Sequence, residues 1–105
     1  MADLQTLYSN LTTLGLPVAY HHFDTAPTLP FIAYYRDEEK LIVADNTKFG
    51  STISVTVELY TEKIDLETEN LLEAILLGLN LIYSKVTTWI DAEQMFMTRY
   101  EMELI

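Results

Sequence analysis

His21-His22, with Asp24 two residues on, is the cluster in this sequence whose residue types best suit metal or acid–base chemistry. The stretch Val18–Asp24 reads as a short strand, where successive side chains point to opposite faces, so the two rings are not expected to hold one ion together. His22 and Asp24 would share a face, but two ligands fall short of a zinc site, which needs four, or three and a water. Asp37-Glu38-Glu39 gathers carboxylates, yet it lacks the bend glycine and the spaced oxygen ligands of an EF-hand loop. An exposed polar turn is expected there, its charge offset by Arg36 and Lys40. Ser9, Ser51, Ser54 and Ser84 have no nucleophile-elbow glycines around them. Gly15, Gly50 and Gly78 are too few and too scattered for a phosphate-cradling loop. With no cysteine in the chain, thiolate nucleophiles, thiolate zinc sites and disulfides drop out together. The expectation is neither an enzyme nor a protein with a metal or cofactor.

The 105 residues suit one domain spanning 1–105, and a hydrophobic share of 50% can build its core without metal or disulfide. Met1-Ala2-Asp3 offers no basic or apolar leader, so no signal peptide is expected. The longest apolar run, around Leu71–Leu81, is broken by Glu73, Gly78 and Asn80. It falls short of the roughly 18 residues that span a bilayer, so a soluble protein without a membrane partner is expected. Sixteen acidic and six basic residues give a net charge of −10. That charge repels a phosphate backbone and disfavours specific nucleic-acid binding. The acidity fits a solvated surface, or one past which DNA must slide without sticking.

The elements follow from spacing. Asp3 is a good N-cap, and Leu4, Leu7, Tyr8, Leu11 and Leu14 recur at helical intervals until Gly15 and Pro17. Pro27 and Pro30 forbid regular structure after the first strand. Phe31–Arg36 is aromatic and β-branched, and Leu41–Ala44 is expected to return as a further strand beyond the Asp37–Lys40 turn. From Ser51 to Glu62 the odd positions Ile53, Val55, Val57 and Leu59 alternate with polar ones, which marks a strand with one buried and one wet face. Asp65 caps a second helix, with Glu67 and Glu69 in its first turn and Leu72, Ile75, Leu76 and Leu79 as its buried stripe. Residues 82–90 and 94–104 read as closing strands around a turn at Asp91-Ala92-Glu93. The expected fold is α+β: a mainly antiparallel sheet with two helices on one face, in the order α-β-β-β-β-α-β-β.

Seven tyrosines suit core edges or protein interfaces. In the C-terminal strand, Met97 shares a face with Arg99 and Glu101, and methionine adapts to irregular contacts. Sheet edges also present unpaired backbone groups to other chains. Exposure and edge arguments thus place subunit contacts at Arg36, Asp37, Glu38, Glu39, Lys40, Asp45 and Asn46, and at Met97, Arg99 and Glu101.

Three blocks carry a likeness. Thr28–Glu38, Ala44-Asp45-Asn46 and Val57–Asp65 resemble the head–tail joining or tail completion (tail terminator) proteins of long-tailed phages and prophages of Gram-positive bacteria. The likeness runs on through Glu69, Leu72 and Glu73 to Trp89, Tyr100 and Glu101, and is thin over residues 1–15 and 76–86. It implies a structural virion protein, assembled in the host cytoplasm, that forms a ring, commonly a hexamer, on the end of the tail tube. Such a ring ends tube growth and joins the tail tube protein to the head connector protein, with DNA passing through its lumen. It implies no catalytic residues. A competing expectation is a small acidic inhibitor that mimics DNA, which requires carboxylates gathered on one face, whereas here they are scattered.

Overall fold

Ile53, Val55, Val57 and Leu59 do set the architecture: three of them are fully buried, and Ile53 packs at their margin. The computed structural model describes residues 3–44 and 47–104, with backbone alone at 42–44 and 47–49. The elements are α1 (Leu4–Leu11), β1 (Val18–Tyr20), β2 (Phe31–Ala44), β3 (Thr47–Thr61), α2 (Leu66–Gly78), β4 (Tyr83–Ile90) and β5 (Met95–Leu104). Short 3₁₀ turns at Thr12–Leu14 and Asp91–Glu93 complete them. The five strands form one sheet in the order β1-β2-β3-β5-β4. Every neighbouring pair is antiparallel except β1 with β2. The α+β class and the mainly antiparallel sheet are as the sequence predicts.

Register decides which face is buried. Ile32 lies opposite Leu59 and Tyr34 opposite Val57, while Val57 in turn faces Tyr100 and Val55 faces Met102. These side chains share one face with Leu104, and on them pack Leu7 and Leu11 of α1 and Leu72 and Leu76 of α2. All four leucines are fully buried, each contributing about 1.5–3 kcal/mol of transfer free energy. The helices begin where expected. The Asp3 carboxylate accepts from Thr6 N at 2.8 Å, and Asp65 accepts from Thr68 N at 3.1 Å and Thr68 Oγ1 at 2.7 Å. These bonds to the charged form hold both carboxyls below their ordinary range.

Several expected boundaries move, and β3, expected from Ser51, already begins at Thr47. Asp37–Lys40 is not a turn, and Leu41–Ala44 is not a separate strand: both belong to β2, which pairs with β3 from Phe31 to Ala44. The observed order therefore has three strands before α2. The extra residue is absorbed as a bulge between Arg36 and Glu38, where the Asp37 carboxylate accepts from Thr56 Oγ1. Charged residues suit a strand there because the segment is exposed. The first strand, expected over Val18–Asp24, ends at Tyr20, because His21 turns the chain with a φ of 70°.

Candidate assembly surfaces

Beyond the helices the sheet continues as an arm. β5 pairs with Ile53–Thr61 of β3, and β1 pairs with Ile32–Tyr34 of β2. Lys40–Ala44 and Thr47–Thr52 consequently pair only with each other among the described residues. The arm carries them about 17 Å past the sheet at roughly 3.4 Å per residue, and the Cα envelope is correspondingly long, 51 × 27 × 23 Å. Leu41 stands 58% exposed on this arm, beside the exposed Glu38, Glu39 and Lys40. Of the residues singled out for subunit contact, Arg36, Asp37, Glu38 and Glu39 lead up to the arm where β5 still backs β3, and Lys40 opens it. Lys40 Nζ lies 3.5 Å from Glu38 Oε1, both in solvent. Asp45 and Asn46 lie outside the described residues.

The C-terminal strand differs from its expected role as an edge. β5 lies between β3 and β4, with backbone partners on both sides. Met102 points into the core at 5% exposure. Met97, Arg99 and Glu101 lie on the opposite face, the one without helices, so they offer side chains but no free backbone. Arg99 Nε is shielded from solvent and lies 3.2 Å from Glu101 Oε1, off the hydrogen-bond direction, so the pair is a charge contact. The long edge is β4, whose residues Ser84–Trp89 are all exposed. A run of β-branched and aromatic residues without an acid, Val86–Ile90, was the sequence signal for it.

The helix-free face is less wet than the alternation of β3 implies. Thr56 is 2% exposed beneath Asp37, and Glu58 is held by Tyr60 OH at 2.9 Å and Tyr35 OH at 3.3 Å. Burial first, and then the neighbouring Glu58 carboxylate, push the Tyr60 hydroxyl well above its ordinary range. At the other end Phe31 stacks on Tyr60 at 4.9 Å, and Phe23 meets it edge-on at 5.3 Å. These rings, with His21 and Met95, line a shallow depression of about 330 Å³. Tyr34 and Tyr100 are buried, as the core expectation has it, while Tyr8 and Tyr20 reach solvent around Tyr34.

His21 and His22 do come together, contrary to the strand argument. The turn at His21 brings their Nδ1 atoms to 3.0 Å, and His22 Nε2 lies 3.9 Å from Asp24 Oδ1. Among the described residues no group of three His, Cys, Asp or Glu side chains is placed to hold a metal. One ionic cluster escaped the sequence reading. Lys85 of β4 reaches over the sheet to α2, 2.7 Å from both Glu69 Oε1 and Glu73 Oε2. Tyr100 OH donates to Glu73 Oε2 at 2.7 Å. Glu69 was read only as a first-turn charge, yet it is 4% exposed and finds its cation here. Among the described residues no helix is long and apolar enough to cross a membrane.

No protein-family model matches this chain, and no curated protein matches it in sequence. Its fold is similar to that of a chain from a solved structure of the virion of a native gene transfer agent (GTA) particle. The TM-score is 0.50 at 12% identity, over 97% of this chain and 84% of that one. At that identity the likeness is one of backbone architecture: a helix-backed sheet of this kind also occurs in a virion particle.

Proposed function

We propose that this chain is a structural protein of a phage-type virion, working by assembly rather than catalysis. Its place is the head–tail junction, as a ring, hexameric in the simplest form, that terminates the tail tube and joins the tube protein to the head connector. Copies gather in the host cytoplasm and end in the virion. The fold likeness to a gene transfer agent virion chain supports the coarser part of this reading. The sequence blocks Thr28–Glu38 and Val57–Asp65 support the finer part. The net charge of −10 suits a lumen through which DNA passes without adhering.

One observation carries the reading: the β2–β3 arm. A two-stranded ribbon is marginal in water, and this one extends past the sheet with two backbone borders that nothing else in the described chain covers. A second protein surface is the natural cover for it.

Shortening the arm tests this. Glu39 lies opposite Ile53, so replacing residues 40–52 with an Asn-Gly turn closes the hairpin with a favoured two-residue loop. The shortened chain should keep its fold, read by circular dichroism and a cooperative melt, yet fail to co-sediment with tail tubes that bind the intact chain. A folded, shortened chain that still caps tubes would overturn the reading.

A further inference from the structure

The assembly reading leaves open which surface meets the arm, and the sheet's own topology bears on that. The sheet ends in β4 on one side. On the other it ends in β1, only three residues long, which leaves most of β2 uncovered. Arg36 N is already taken by Tyr20 OH at 3.2 Å, so the open part of β2 is Asp37–Ala44. It matches the eight residues of β4 in length.

Strand direction is fixed. β2 is antiparallel to β3, β3 to β5, and β5 to β4, so β4 runs opposite to β2. Two copies set side by side in the same orientation therefore bring β4 of one against β2 of the next as an antiparallel pair, the better-bonded arrangement. A twofold relation would instead pair like with like. For β2 this brings two copies of the acidic segment Asp37-Glu38-Glu39 onto one ladder, where their charges repel.

Charge separates the two borders as well. In a chain of net charge −10, Tyr83–Ile90 holds no acidic residue, and its one cation, Lys85, is engaged by Glu69 and Glu73. β4 also lacks the proline, bulge or outward charge that natural edges use to refuse partners. It presents Val86 and Trp89 at 50% and 43% exposure, just after Ile82 at 88%. The acid-bearing border of β2 therefore meets no like charge on the acid-free border of β4.

We propose that β4 of one copy pairs with Asp37–Ala44 of the next copy, head to tail, so that the sheet continues from subunit to subunit. This rests on the assembly reading and names the contact through which it works. Head-to-tail contacts of this kind generate rings when the rotation closes.

The cysteine-free chain makes the test clean. One preparation carries Thr87→Cys in β4; four others each carry one of Glu38→Cys, Glu39→Cys, Lys40→Cys or Leu41→Cys in β2. Each is mixed with the β4 variant under the conditions that give the oligomer, then oxidised. A disulfide needs Cα atoms within about 7 Å. The expected result is a cross-linked dimer in mixtures with the Glu39 or Leu41 variant, whose positions share Thr87's face of a continued sheet, and little with the Glu38 or Lys40 variant. Dimers from the Thr87→Cys chain alone would overturn the proposal in favour of a twofold β4 contact. An oligomer of unchanged mass with no cross-link in any mixture would overturn it while leaving assembly intact. No oligomer by light scattering, with tail tubes present, would overturn the assembly reading itself.

Discussion

Lys85 is the residue on which the helix layer and the sheet meet electrostatically. Its ammonium lies between Glu69 and Glu73, and those two hydrogen bonds hold it above its ordinary range. Removing one partner of a fully buried pair costs roughly 3–5 kcal/mol. The Lys85 side chain keeps 33% exposure, and solvent screens part of that, so Lys85→Met is expected to cost about 2 kcal/mol. Urea unfolding reads this directly, and a change under about 0.5 kcal/mol would be that of an ordinary surface substitution. For Glu73, burial pushes the carboxyl up, but bonds from Lys85 and Tyr100 outweigh it and leave it below its ordinary 4.5. A carboxylate held low in the folded state contributes stability above its unfolded pKa and loses it as pH falls through the folded one. The wild type should therefore lose melting temperature as pH drops below 4.5, and Glu73→Gln should lose less over the same window. Sequence placed Glu69 and Glu73 on the second helix but could not reveal their partner, since Lys85 joins them only once β4 folds back beneath α2.

At the scale of elements, the arm divides β3 into a half that belongs to the core and a half that does not. Val55, Val57 and Leu59 are fully buried and flanked by strands on both sides. Lys40 and Leu41 face only Thr52 and Ser51. Local opening of such a ribbon needs little free energy. In hydrogen exchange the Lys40 and Leu41 amides should exchange at least about a hundredfold faster than those of the three core residues in the free chain. Their protection should rise on assembly; equal protection in the free chain would mean that the arm is already held. The alternation of β3 and both helix caps were legible because each is a local pattern. The arm was not, because Asp37–Lys40 has the composition of a turn, and only the facing residues of β3 keep it extended. The edge was misplaced for a related reason. Exposure and edge arguments pointed to the C-terminal strand, whereas β4 lies outside it and leaves β5 paired on both sides.

For the molecule as a whole, what matters is a long sheet with one helix-covered face, an arm at one end and two borders of different charge. The α+β class could be read from periodicity, while the proposed role in a virion rests on likeness rather than on chemistry, since assembly surfaces carry no motif. Copies of net charge −10 repel one another, and at about 0.1 M salt the screening length falls to roughly 10 Å. Association should therefore strengthen as salt rises from low values. Light scattering on the intact chain, at low and near-physiological salt, with and without tail tube protein, tests the account most directly. It predicts one discrete, closed oligomer, favoured by salt or by the tube. A chain that stays monomeric at every concentration and salt, and leaves the tube unbound, would contradict it.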